Sequence, residues 1–300
     1  MRMPGQHMRS MWTTIDGVRI HSLAGGEGPP VVLVHGYGLS GAYMLPLARA
    51  LAGSCTAYAP DLPGQGKSDA LREGLGISAL ADVLGGWMEA AGLGRPLVVA
   101  NSFGCQIVTD LAVRRPPRVG PLVLVGPTID PAQRRARRQL AAAMRDSARE
   151  PFSLLAIAVR DNAQTGIGPL LATARFALRD RIEDRLPELA QPTVVVWGER
   201  DGFVGRAWAE RVAALLPRGR LVVVPGEPHA VHYTRPAVVA DVVLELLAEE
   251  SEDLGGDLLG RFEHGNVAAR DVDDAGRVED ALPFVGDPHR HQAVAVAPEQ

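Results

Sequence analysis

Lysine is almost absent from this chain, and cysteines and long hydrophobic runs are scarce. Lys67 is the single lysine, so the basic residues are nearly all arginine. That bias reads as base composition rather than chemistry. Two cysteines, Cys55 and Cys105, are too few for a disulfide framework and have no metal-ligand spacing. Both lie in apolar contexts and are expected to be small core residues. No cofactor and no metal are called for. No apolar run is long enough to span a bilayer, and Met1–Ser10 lacks the apolar centre of a signal peptide. A reducing, cytoplasmic setting is therefore expected, with no membrane span and no nucleic-acid partner.

What the chain does contain is a large apolar fraction, 46% of 300 residues, enough for a sizeable core. Short β-branched runs alternate with helical stretches. Trp12–Ile15 and Val18–Leu23 flank Asp16-Gly17, a hairpin signal, and should open the sheet as an antiparallel pair. Val31–Val34, Cys55–Ala59, Leu97–Val99, Leu122–Val125, Thr193–Trp197 and Leu221–Val224 read as buried strands. Helices are expected between them: from Ser40, a candidate N-cap, to Leu51, then over Ser78–Ala91, Cys105–Arg114, Arg206–Leu216 and Pro236–Glu249. This order predicts an α/β fold with a mostly parallel sheet and helices on both faces. In such sheets ligands bind beyond the carboxyl ends of the strands.

The alternation stops from residue 130 to 190, an arginine-rich stretch of helical periodicity without a convincing strand. It is expected to form a helical cap, or lid, over that edge. The core is then 12–129 and 191–249. Residues 249–300 hold thirteen acids against four arginines, a net of −9 in a chain of −4. The segment 250–300 is expected to be a disordered acidic tail.

One stretch organises the rest. Ala100-Asn101-Ser102-Phe103-Gly104 puts a serine on the turn between a strand and a helix, close to the G-x-S-x-G elbow with alanine at the first glycine. Small neighbours are needed because strand and helix nearly touch there. His35-Gly36-Tyr37-Gly38 follows one strand, Gly198-Glu199-Arg200-Asp201 another, and Pro228-His229 the last. Asp61–Ser68 reads as a structural loop and lacks the spacing of a phosphate-binding loop.

With these motifs in hand, residues 12–249 resemble the α/β-hydrolase fold superfamily, in its capped serine-hydrolase branch. The resemblance implies an eight-stranded sheet and a triad in the order nucleophile, acid, histidine. Ser102 would be the nucleophile, Asp201 the acid and His229 the base. The backbone N–H groups of Tyr37 and Phe103 would form the oxyanion hole. Pro228 stands where a glycine is more usual. His232 is the rival base and is otherwise expected to line the pocket or pack in the core. Asp130 is the rival acid, and His35 is expected to hold its own loop. The implied activity is hydrolysis of a small ester-like carbonyl substrate through an acyl-enzyme. Carbon–carbon cleavage of a diketone, lactone or thioester hydrolysis, and non-catalytic binding of a small molecule stay open, as does a homodimer. Serine at the elbow argues against dehalogenase or epoxide hydrolase chemistry, which needs a carboxylate there.

Overall fold

The structure is a computed structural model that describes residues 7–70, 73–147, 149–165 and 167–253. The acidic segment expected to be disordered lies outside the described residues from position 254 onward. Eight strands form one sheet: β1 (Arg9–Ile15), β2 (Val18–Gly26), β3 (Pro30–Val34), β4 (Thr56–Pro60), β5 (Leu97–Asn101), β6 (Leu122–Val125), β7 (Thr193–Gly198) and β8 (Gly219–Val224). Their spatial order is β1-β2-β4-β3-β5-β6-β7-β8. β1/β2 and β2/β4 are antiparallel, and all other pairs are parallel. The hairpin between β1 and β2 turns on Asp16 (φ 48°) and Gly17 (φ 81°), the two positive angles that a tight two-residue turn requires.

Ten helices occur among the described residues: α1 (Leu45–Leu51), α2 (Ile77–Ala90), α3 (Phe103–Arg114), α4 (Ala136–Ser147), α5 (Phe152–Thr165), α6 (Ile167–Arg179), α7 (Ile182–Arg185), α8 (Arg206–Leu215), α9 (Val231–Thr234) and α10 (Pro236–Asp253). Alternate residues of the central strands enter two separate cores. Val32, Val34, Val98 and Ala100 pack with residues of α2, α3 and α8. Val31, Leu33, Leu97 and Val99 pack with residues of α1 and α10. Strands buried on both faces explain the continuous apolar runs in the sequence. Cys55 and Cys105 are both free and buried, each in one of these cores. Among the described residues no helix is long and apolar enough to cross a membrane.

Three local readings differ from the sequence expectation. The helix expected from Ser40 is a 3-10 turn over Gly41–Met44 followed by α1. Pro46, at the first turn of α1, lacks the N–H that would continue the earlier turn. Ser40 precedes that turn without a side-chain capping bond. Helix α3 begins at Phe103, immediately after the serine, and α9 is a short helix that the sequence did not announce.

Asp61 ties three segments together at the edge of the sheet. Its carboxylate accepts from the Gly41 N–H at 2.7 Å and the Lys67 N–H at 2.8 Å, and it meets His21 Nδ1 at 2.8 Å. Asp61→Ala would strand the buried donors of Gly41 and His21, at roughly 1–3 kcal/mol each, and the part-buried N–H of Lys67. The expected outcome is a loss of at least about 3 kcal/mol, read as a fall in thermal midpoint of about 6–12 °C.

Candidate active site

Ser102 occupies the turn between β5 and α3 with φ 54° and ψ −118°, a region that non-glycine residues seldom enter. Such a residue costs on the order of 1–3 kcal/mol and persists only where its surroundings enforce it. Here they do. The Ser102 N–H donates to Val125 O at 2.9 Å. A Cβ on Gly104 would lie 2.8 Å from His35 O and 2.9 Å from Val34 O, so α3 can approach β3 only with glycine there. Ala100 is fully buried, and its methyl is the whole of the side chain at this point. Alanine thus serves at the first position of the elbow.

The loops after β7 and β8 bring Asp201 and His229 together. Asp201 Oδ2 accepts from His229 Nδ1 at 2.7 Å, and Oδ1 accepts from the N–H groups of Phe203 at 2.7 Å and Val204 at 2.8 Å. The Asp201 side chain is wholly enclosed, and that of His229 nearly so. Burial works against a charged imidazole. The facing Asp201 carboxylate, with lesser help from Asp146 and Glu150, outweighs it and raises the His229 pKa to about 9. With Nδ1 engaged, Nε2 has no hydrogen-bond partner. Ser102 and His229 line the same cavity, of about 530 Å³, with Tyr37 and Phe103 beside them.

Each rival residue has another occupation. Asp130 Oδ1 accepts from the Ala132 N–H at 2.8 Å and caps a 3-10 turn. His232 is fully buried and meets the Tyr43 ring edge-on, with centroids 4.4 Å apart. Burial, with the charge on His229 adding to it, pushes the His232 pKa down to about 3, so its ring is a neutral packing group. His35 Nδ1 donates to Gly36 O at 2.8 Å while Nε2 accepts from the Leu62 N–H at 3.0 Å. That pairing fixes a neutral tautomer and joins the loops after β3 and β4, as expected of a structural histidine.

Phe103 opens α3, so its N–H has no acceptor within the helix. Tyr37 packs edge-on against the Phe103 ring at 5.9 Å and donates through its hydroxyl to Leu170 O at 2.6 Å. The loop carrying Tyr37 is therefore tied to α6.

Three residues near the site carried no sequence expectation. Asn101 Oδ1 accepts from the Tyr43 hydroxyl at 3.1 Å, and its Nδ2 donates to Val125 O at 3.1 Å. Asp146 and Glu150, from the helical segment between β6 and β7, also line the cavity. Asp146 Oδ1 accepts from the Gly202 N–H at 3.0 Å and the His229 N–H at 3.3 Å. One signal for Asp146 was in the sequence: Ala136, Gln139, Ala143 and Asp146 fall on a single helical stripe of otherwise small or neutral residues.

The chain matches the alpha/beta hydrolase family over residues 31–242. It belongs to that family. Within the family it is 25% identical over 267 residues to the 2-(acetamidomethylene)succinate hydrolase of Mesorhizobium japonicum, covering 80% of this chain and 96% of that one. It is 31% identical over 259 residues, 78% of its own length, to the polyketide synthase ThaQ of Burkholderia thailandensis, of which it spans 12%. A solved esterase from Thermogutta terrifontis has the same fold, with a TM-score of 0.68 at 23% identity over 81% of this chain and 98% of that one.

Gly126, after β6, has φ 54°, and a Cβ there would lie 2.7 Å from His229 Nδ1 and 3.0 Å from Asp201 Oδ2. Gly126→Ala should push the imidazole away from Asp201. The expected outcome is a fall in kcat of about 10²-fold, the scale of a ~1 Å displacement at a reacting centre, in a protein whose circular dichroism spectrum is unchanged.

Proposed function

We propose that the protein is a serine hydrolase that cleaves a small ester through an acyl-enzyme. The observation that carries this reading is the 2.7 Å contact between His229 Nδ1 and Asp201 Oδ2, with Nε2 unpartnered in the cavity that Ser102 also lines. In this reading Ser102 Oγ attacks the substrate carbonyl while His229 Nε2 takes its proton. Asp201 holds the imidazole by Nδ1 and stabilises the imidazolium. The oxygen that becomes negative is met by the N–H groups of Tyr37 and Phe103, worth about 3–4 kcal/mol for one such donor. His229 returns the proton to the leaving alcohol, and water attacks the acyl group by the same route. The helices between β6 and β7 serve as the cap, supplying Leu140, Leu154 and Ala177 to the cavity wall. Lactones and thioesters would pass through the same steps.

The cavity also bears on the acyl part. Among the described residues that line it there is no arginine and no lysine. A substrate carboxylate would thus meet no arginine or lysine there.

Two outcomes follow. Ser102→Ala should lower hydrolysis of p-nitrophenyl esters by about 10³-fold or more, and a fluorophosphonate probe should label the wild type but not the variant; an unlabelled wild type would favour a binding protein instead. The base acts only when neutral, and its pKa lies at about 9 in the empty enzyme. For a neutral ester kcat/KM should therefore rise about tenfold per pH unit through pH 7–8 and level off above about 9; a plateau already reached at pH 7 would show that the carboxylates around His229 do not raise the pKa of the base.

A further inference from the structure

The carboxyl pair in the cavity wall has no arginine or lysine beside it among the described lining residues, and the nearby His229 ring is already paired with Asp201. Asp146 is 1% exposed, and while its Oδ1 accepts from the two backbone donors described above, its Oδ2 is buried without a donor. Glu150, four residues on, lines the same cavity. Burial first, then the charge on Asp146, pushes the Glu150 pKa up to about 8, although His229 pulls the other way. Near neutral pH Glu150 thus holds its proton. The chain is rich in arginine, yet among the described residues none lines this cavity. Arg145 and Arg149, on the same segment, donate instead to the carbonyls of Gly202 at 3.3 Å and Arg200 at 2.7 Å. No group of three or more His, Cys, Asp or Glu among the described residues is arranged to hold a metal ion. A buried carboxylate oxygen without a donor is costly, and a ligand that brings a cationic donor relieves the cost.

We propose that Glu150, backed by Asp146, is a specificity-determining residue that anchors a protonated amine, so that the ester cleaved at Ser102 is one bearing an ammonium group. This rests on the reading of Ser102, His229 and Asp201 as the hydrolytic triad. On binding, the ammonium takes the place of the Glu150 proton, which leaves to solvent, and Glu150 ionises. The remainder of the substrate lies along the apolar wall of α4, α5 and α6.

The titratable groups facing His229 are Asp201 from the loop after β7, Asp146 and Glu150 from the helical segment, and neutral His232 from α9. An ammonium that displaces the Glu150 proton leaves the net charge beside His229 unchanged, so the preference for a cationic substrate is expected in binding and KM rather than in the pKa of the base.

The test has two arms. In the first, hexylammonium and 1-hexanol are titrated calorimetrically into the full-length protein at pH 7. The ammonium should bind at least tenfold more tightly, and the ratio should fall to about one in Glu150→Gln and recover in part in Glu150→Asp. A ratio of one or less in the wild type, or one that Glu150→Gln leaves intact, would overturn the anchor. In the second, p-nitrophenyl esters of ω-aminoalkanoic acids of three to six carbons are compared at pH 7 with alkanoates carrying methyl in place of ammonium. At least one amino ester should exceed its neutral partner tenfold in kcat/KM, and Glu150→Gln should abolish that ratio. Neutral esters turned over without any amino preference would overturn the substrate assignment alone. A preference for the ammonium in the first arm, with no ester of either kind hydrolysed, would uphold the anchor and overturn the hydrolytic reading.

Discussion

The enclosed charge of Asp201 is the constraint on which the site depends. A carboxylate shut away from water must be matched by donors, or folding would leave it protonated. Three donors reach it: the His229 ring and the N–H groups of Phe203 and Val204. Satisfying Asp201 thus sets the path of its own loop and the direction of the imidazole together. With Nδ1 committed inward, Nε2 turns to the cavity. Gly126 completes the arrangement by leaving room where any side chain would displace the ring.

The parallel sheet makes this meeting possible. Strands covered on both faces send their connections across the sheet, so the loops after β3, β5, β6, β7 and β8 emerge at one edge. Ser102 then gains its exposure from a strained turn, and the strain is held by the close approach of α3 to β3 at Gly104. His35 and Asp61 lock the neighbouring loops through buried hydrogen bonds. These contacts make a rigid floor, and the helical segment supplies the variable wall.

That wall changes the electrostatics of the floor. Asp146 bonds to the loops after β7 and β8 through one oxygen and leaves the other without a donor. The two acids that raise the His229 pKa are, among the described lining residues, the ionisable wall groups beside His229, Tyr37 and Tyr43. Their effect on the imidazole is strong because the groups share one low-dielectric space.

Much of this was legible in the residues. Buried strands announce themselves as apolar β-branched runs, the hairpin by Asp16-Gly17, and the strand-end motifs by glycine beside a polar residue. Those signals are local, and they specify the α/β order and the family, and name Ser102, Asp201, His229, Tyr37 and Phe103 as candidates beside the rivals His232 and Asp130. The roles of Asn101 and Glu150 were not legible, and Asp146 showed only its place on a helical stripe. Their partners lie tens of residues away, and an acid on an arginine-rich helix looks the same in sequence whether it faces solvent or a cavity. Local pattern therefore determined which elements form and in what order. Only tertiary packing decided which of two histidines faces the cavity and which aspartate meets it, and that the cavity has an acidic wall, because those outcomes depend on burial and on distances between segments that no spacing in the chain encodes.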